Sequence, residues 1–253
     1  MYKSYLIEGS FYTGVGSRKA PIHILYLFSV LAQIFESKGL SLRSGGALGA
    51  DSSFSDALLN PIKNSQIFVT NNMKKPNYYN PKEYYGTSFD GHYRKAMRLI
   101  MDLKLHKKWE RCTNSAMELH NRNIFQVLGL DLNSPSSFLL CWTLRGERAY
   151  AETTQLTGGT ATAINTACMY NVPVFNLAYG PDFLFTMDFI FKNIHLVDFE
   201  KLYAIKPKSR VVDEAPYGLQ LKSISHELST AFSDFGFFLD DKSLQVLFKN
   251  YFN

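Results

Sequence analysis

Cysteine is scarce in this chain of 253 residues, and long hydrophobic runs are missing. The three cysteines, Cys112, Cys141 and Cys168, are too few and too scattered for a disulfide framework or a paired-cysteine metal clip. No uninterrupted apolar segment approaches the ~20 residues that cross a bilayer, and the N-terminus lacks the basic start and apolar core of a signal peptide. We therefore expect a reduced, cytoplasmic protein that does not enter the membrane.

Two kinds of catalytic signature are missing as well. The six histidines show no spacing typical of a metal site, such as two histidines one helical turn apart around a glutamate. Ser17, Ser44 and the cysteines have no recognisable base partner for nucleophilic catalysis. The sequence thus predicts no metal site, no cofactor and no catalytic triad.

Positive charge is unevenly spread along the chain. The net charge is +5, from 27 Lys and Arg against 22 Asp and Glu, but residues 61–125 alone carry 12 basic and 5 acidic side chains. Such a local excess favours a partner that bears phosphate, although a solvated lysine-rich surface gives the same count. With 46% hydrophobic and 19% charged residues, the composition excludes a disordered chain.

Short β-prone segments alternate with glycine loops and helical patterns. We predict strands at residues 10–13, 40–43, 66–69, 138–142 and 172–177. Glycine loops follow the first two strands, and a third glycine loop at 158–160 precedes a helix. Residues 92–128 have a helical pattern with a break near His106. We therefore expect an α/β fold with an open, mainly parallel Rossmann-like sheet and helices on both faces.

The sequence also predicts how the chain is divided. Residues 1–180 form the Rossmann-like domain, with 71–91, rich in Tyr, Asn and Pro, as an insertion loop. Residues 181–253 carry 11 of the 20 phenylalanines, which must be buried somewhere. We expect this C-terminal extension to pack on the main domain, with self-association into a homodimer as the lesser alternative.

Five segments carry a family resemblance. Tyr12–Arg18 has the sequence YTGVGSR and Leu42–Asp51 has LRSGGALGAD, and they are followed in order by His120–Ile124 (HNRNI), Gly158–Ala163 (GGTATA) and Val172–Phe175 (VPVF). Together they resemble the SLOG branch of Rossmann-like folds, and most of all the stand-alone DprA-like proteins (DNA-processing protein A, a recombination mediator) of phages and bacteria. The chain departs from that pattern after Asn123, where Ile124 takes the place of a second arginine.

The glycine loops are the predicted binding site. Loops at the carboxyl ends of parallel strands face ligands, and their backbone N–H groups and helix N-termini favour anions. The resemblance implies that the ligand is a nucleotide or single-stranded DNA, in the cytoplasm of a bacterial or phage-infected cell. The residues expected to bind nucleotide or phosphate are Gly14, Gly16, Ser17, Arg18, Arg43, Ser44, Gly45, Gly46, Asp51, Arg122, Asn123, Gly158, Gly159 and Thr160.

Several of these residues have a second interpretation. Arg18, Arg43 and Arg122 are the best anion-binding candidates, because arginine can hold phosphate with two hydrogen bonds, but each could equally form an ordinary ion pair. Asp51 would bind a ribose hydroxyl or cap its helix. Trp142 would stack on a base or, more simply, pack in the core.

Two other functions stay open beside simple binding. SLOG phosphoribohydrolases carry a P-G-G-x-G-T-x-x-E loop whose glutamate serves catalysis, whereas no carboxylate follows Thr160 here. Cleavage of an N-glycosidic bond is therefore the less favoured alternative. Its carboxylate would have to come from Asp51, Glu118, Glu147 or Glu152, each of which is better explained as a surface or capping residue. The third function is a sensor or sequestering protein for a nucleotide signal in phage–host conflict.

Overall fold

A computed structural model describes residues 4–70, 84–85 and 91–205. Backbone contacts divide the chain into two units, Met1–Arg210 and Val211–Asn253, and all the described residues belong to the first. Apart from residues 84–85 and 91, the predicted insertion loop lies outside the described residues. So does the C-terminal extension beyond residue 205.

A parallel sheet forms the centre of the first unit. Its strands are β1 (Phe11–Gly14), β2 (Ser41–Ser44), β3 (Ser65–Val69), β4 (Tyr84–Tyr85), β5 (Leu139–Cys141) and β6 (Val174–Asn176). They lie side by side in the order β4-β3-β2-β1-β5-β6, and every pair is parallel. The two residues of β4 only extend the edge, so the five longer strands carry the fold. The first strand in the chain therefore lies inside the sheet, between β2 and β5.

In the described residues, helices lie between most successive strands and continue after β6. They are α1 (Ile22–Ser37), α2 (Ala50–Ala57), α3 (Pro61–Asn64), α4 (Gly91–Asp102), α5 (Asn114–Leu128), α6 (Thr160–Met169), α7 (Gly180–Asn193) and α8 (Phe199–Ala204). The break predicted near His106 is present, because α4 ends at Asp102 and α5 begins only at Asn114. The side chain of Thr113 caps α5 by accepting the Ala116 N–H at 3.3 Å.

Both faces of the sheet are covered, as predicted for the fold class. On one face, the ring of Tyr12 packs 4.9 Å from that of Phe35 on α1 and 6.2 Å from that of Phe54 on α2. On the other face, Leu139 and Cys141 of β5 join one buried cluster with residues of α4, α5 and α6. Because neighbouring residues of a strand point to opposite faces, both layers can be hydrophobic.

The described part of the C-terminal extension contacts α1. The Phe189 ring of α7 lies 5.8 Å from that of Phe35, and the Asp198 N–H donates to Gln33 Oε1 at 2.7 Å. The chain from α7 to residue 205 thus contacts α1, and the rest of the predicted extension lies outside the described residues. Among the described residues, no helix combines the length and the apolar character needed to cross a bilayer.

Candidate functional site

The loops after β1, β2 and β5 meet at the carboxyl edge of the sheet. Because β1 pairs with both β2 and β5, the three loops begin side by side. The Ser17 N–H donates to the carbonyl of Trp142, just past β5, at 3.1 Å. A Cβ built on Gly49 would lie only 2.8 Å from the Cα of Arg18, so the first two loops touch through their backbones. In open parallel sheets, ligands bind where the strand order reverses, as it does here at β1.

Two consecutive residues of α5 connect the glycine loop before α6 to this edge. Arg122 donates from Nη1 to the carbonyl of Gly45 at 3.0 Å, and Asn123 donates from Nδ2 to the carbonyl of Gly159 at 2.7 Å. The loop after β2 and the loop before α6 are thus fastened to the same turn of one helix. The structure therefore brings the three predicted glycine loops and the HNRNI segment together.

A buried ion pair lies at the centre of this arrangement. Arg122 Nη2 is 3.5 Å from Asp51 Oδ2, and their side chains are 8% and 4% exposed. Burial raises the pKa of Asp51, although Arg122 and the Ala47 N–H oppose the rise. Burial also lowers the pKa of Arg122, while Asp51 favours its charged form. Each charge thus depends on the other for its stability in the interior.

Arg18 adds a second positive charge beside this pair. It is half-buried, and its charge lowers the pKa of both Asp51 and Arg122. Within the described ranges, Arg18 takes part in no hydrogen bond or ion pair. Two positive charges thus act on one carboxylate, which leaves this group of three with an excess of positive charge.

The side chains of Arg43 and Ser44 are hydrogen-bonded to other residues of the protein. Arg43 is buried, donates from Nε to Gln66 Oε1 at 2.9 Å, and places its guanidinium 4.1 Å from the centre of the Phe11 ring. Ser44 Oγ donates to the carbonyl of Gly14 at 2.7 Å. Both side chains thus hold β2 against its neighbours.

The predicted glycines fall into different structural classes. A Cβ on Gly14 would meet the Phe54 ring at 2.8 Å, and one on Gly45 would meet Arg122 Cζ at 2.4 Å. A Cβ on Gly16 would similarly lie 2.8 Å from that of Ala50. These three glycines permit close packing, which is a structural role.

Gly158 and Gly159 have open space in front of them. Both are exposed, and no atom lies within 4 Å of where their Cβ would be. Gly159 is also the N-cap of α6 and offers no capping side chain, while the next residue, Thr160, is buried. The backbone here is accessible to a ligand, at the positive end of a helix dipole.

Glu147, one of the four carboxylates considered for catalysis, lies beside this open loop. The carboxylate is only 4% exposed and accepts hydrogen bonds from Thr143 Oγ1 at 2.5 Å and Thr157 Oγ1 at 2.8 Å. Burial raises the pKa of Glu147, but these hydroxyl and backbone donors outweigh it, so the pKa lies below its usual value. The expectation that Glu147 lies on the surface was wrong, because its side chain is buried. The threonine hydroxyls offset the cost of burying its charge.

Other candidates have plainer roles. Glu152 accepts the N–H groups of Arg148 and Ala149 at 2.7 and 3.0 Å, as expected of a capping residue. Trp142 is 7% exposed, which agrees with core packing rather than base stacking. Glu118 is half-buried on α5.

Three possible metal ligands also come together, although their spacing gave no such signal. His106, Cys112 and His120 each place one donor atom within 4.8 Å of the others. The separations of 6 and 8 residues match no familiar motif, because one segment is an irregular connection and the other a helix. Only the fold makes them neighbours.

The chain matches no family model, no curated protein and no solved structure. The SLOG and DprA-like resemblance, the ligand and the homodimer therefore stay predictions. The α/β sheet and the meeting of the glycine loops at its carboxyl edge stand on the structure alone.

Proposed function

We propose that this protein binds phosphate groups of a nucleotide or of single-stranded DNA at the carboxyl edge of the sheet. The observation that carries the proposal is the half-buried Arg18, which lacks a described partner, beside the buried Asp51–Arg122 pair. This cluster has an excess of positive charge and lies at the point where the strand order reverses. A phosphate that accepts from Arg18 would supply the missing negative charge.

The backbone supports an anion at the same edge. Gly159, the exposed N-cap of α6, has no side chain that could satisfy the first turn. Backbone N–H groups at such helix starts suit phosphate oxygens. Gly158 and Gly159 leave room for a phosphate to approach the backbone closely.

Charge along α4 favours a polymer of phosphates over a single one. Arg94, Lys95 and Arg98 are exposed on this helix, which packs against α5, the helix of Arg122. An extended basic surface suits the repeated charges of single-stranded DNA. A nucleotide, whether substrate or signal, would need only the charge at Arg18 and Arg122, so the two ligands are separable by experiment.

The first test is a binding titration with an Arg18→Ala variant. We expect a fluorescently labelled single-stranded oligonucleotide or a nucleoside triphosphate to bind at low salt, and the variant to bind about 10- to 100-fold more weakly. That range corresponds to the loss of a charge-assisted hydrogen bond of about 1.5–3 kcal/mol. Fluorescence anisotropy measures the first ligand and calorimetry the second. For DNA, added salt should weaken binding steeply, because bound counterions are released.

Lys38→Ala is the matched control. Lys38 also carries one positive charge, but it follows α1 and precedes β2, at the opposite edge of the sheet. Gly159→Val adds a second probe: the backbone angles of Gly159 suit any residue, so valine should block the ligand and leave the melting temperature unchanged. Binding of neither ligand by the wild-type protein, or equal losses in Arg18→Ala and Lys38→Ala, would refute the site. Native mass spectrometry of the same samples reports the subunit number.

The alternative function, cleavage of an N-glycosidic bond, is favoured by the position of Glu147. Its partner Thr157 directly precedes Gly158, so a carboxylate does lie beside the third glycine loop. A glycosidic acid, however, needs a raised pKa, whereas that of Glu147 is lowered. Both of its oxygens are also occupied by hydroxyl donors.

We therefore expect nucleoside monophosphates to survive incubation with the protein. Chromatography should detect no free base beyond that in a sample without protein. Multiple-turnover release of base would contradict this and favour the enzyme. A Glu147→Gln variant compared with Glu152→Gln would then show whether the buried carboxylate is responsible.

A further inference from the structure

A cluster of one cysteine and two histidines lies on the α4–α5 side of the sheet. Cys112 Sγ is 3.7 Å from His106 Nδ1 and 3.9 Å from His106 Nε2, and the rings of His106 and His120 have centroids 4.1 Å apart. We propose that His106, Cys112 and His120 bind a thiophilic divalent cation such as Zn²⁺. The proposal is independent of the phosphate site.

The distances suit tetrahedral coordination. Zn–S bonds of about 2.3 Å and Zn–N bonds of about 2.0 Å place neighbouring tetrahedral ligand atoms roughly 3.3–3.6 Å apart. The donor atoms of the three side chains already lie within 4.8 Å of one another. These atoms would therefore have to approach one another by only about 1 Å to coordinate one ion.

His120 is oriented by a partner of its own. Its Nδ1 lies 2.8 Å from Thr162 Oγ1 of α6. When Nδ1 carries the proton and donates it to this hydroxyl, Nε2 presents its lone pair to a metal. Metal-binding histidines typically have such a hydrogen bond on the second ring nitrogen.

The segment between α4 and α5, which contains His106, is held by hydrogen bonds with residues outside it. Asn165 Nδ2 donates to the carbonyl of Leu105 at 2.8 Å, and Lys108 Nζ donates to Gln155 Oε1 at 2.9 Å. The hydroxyl of Tyr150 donates to the carbonyl of Lys104 at 2.9 Å. This irregular segment is thus held on both sides of His106, so little conformational entropy remains to be lost when a metal binds.

The ligand set indicates which cation it suits. A thiolate with two imidazoles favours zinc and related thiophilic ions over calcium or magnesium, which prefer oxygen. Three protein ligands leave a fourth position for water, and the half-buried His106 and Cys112 give solvent access to it. The bound ion would join the α4–α5 connection to α5 and, through Thr162, to α6.

The test is metal titration of the full-length protein after treatment with a chelator. We expect one Zn²⁺ per chain, and we expect Co²⁺ to give the thiolate-to-cobalt absorption and the visible bands of a tetrahedral site. Cys112→Ser should abolish the thiolate absorption. Thr162→Val, which removes only the hydrogen bond to His120, should weaken metal affinity about 10- to 100-fold.

Cys168→Ser is the matched control, because Cys168 is also a half-buried free thiol but does not belong to the cluster. It should bind Co²⁺ like the wild-type protein. Failure of the folded wild-type protein to take up Zn²⁺ or Co²⁺ would overturn the proposal. So would thiolate absorption that survives in Cys112→Ser or disappears in Cys168→Ser. Circular dichroism of each variant shows that the fold is retained.

Discussion

Replacing Arg122 with alanine should lower the free energy of unfolding by about 3–5 kcal/mol at neutral pH. The change removes the partner of Asp51, whose side chain is 4% exposed and would keep an uncompensated charge in the interior. It also removes the hydrogen bond to the carbonyl of Gly45. Chemical denaturation of the variant and the wild-type protein measures the difference.

The pH dependence of this loss distinguishes a buried charge from simple loss of packing. Burial already raises the pKa of Asp51, and removal of Arg122 would raise it further. When the pKa of a carboxyl group is higher in the folded protein than in the unfolded chain, the folded protein becomes less stable as the pH rises above the unfolded pKa. For aspartate that unfolded pKa is about 3.9. The deficit of Arg122→Ala should therefore be largest at neutral pH and shrink towards pH 4.

An exposed ion pair supplies the control for Arg122. Lys192 Nζ lies 2.7 Å from Asp188 Oδ2 on α7, and their side chains are 65% and 54% exposed. Lys192→Ala should cost only about 0.3–0.5 kcal/mol, because water screens such a pair. A loss in Arg122→Ala that is equally small, or that does not vary with pH, would show that Asp51 does not depend on this arginine.

Gly49→Ala should destabilise the protein by about 3 kcal/mol or more, because it combines backbone strain with steric overlap. Gly49 has φ 100° and ψ −127°, a conformation that residues with a Cβ rarely adopt. That Cβ would also lie 2.8 Å from the Cα of Arg18 and 3.2 Å from the carbonyl oxygen of Ser17. These are backbone atoms, which cannot rotate away. Thermal and chemical denaturation measure the effect.

Gly180→Ala is the comparison for this substitution. Gly180 begins α7, its φ does not lie in the left-handed region, and no atom lies within 4 Å of its Cβ position. We expect the Gly180→Ala protein to be as stable as the wild-type protein or slightly more stable, since alanine favours the helix. Equal melting temperatures for Gly49→Ala and Gly180→Ala would disprove the close contact between the first two loops.

Local sequence patterns were sufficient to predict the sheet and most of its helices. The three glycine loops, the helical spacing in α1 and the break near His106 each depend on residues close together in the chain, so they are visible without the fold. The short strands were predicted within a few residues of their ends. Their parallel pairing followed from the helices between them.

The chemistry of individual side chains was less predictable, because it depends on contacts between distant segments. Arg43 and Arg18 look alike in sequence, each beside a glycine loop, yet Gln66 and Phe11 engage Arg43 while Arg18 has no described partner. Glu147 is buried at a point where Thr143 and Thr157, from two different segments, both donate to it. A local sequence pattern does not show which residues the folded chain places around a charged side chain.

The position of β1 in the sheet has a consequence for the order of assembly. Thr13 of β1 donates to Ser136 Oγ, 123 residues later, just before β5. The pairing of β1 with β2 and of β2 with β3 closes much shorter loops, which costs less chain entropy. The candidate site at the carboxyl edge of the sheet is formed by loops from both sides of β1, so it is complete only after β5 has joined the sheet. If a ligand binds there, as we propose, it recognises the finished sheet, and its binding energy adds to the stability of that state alone.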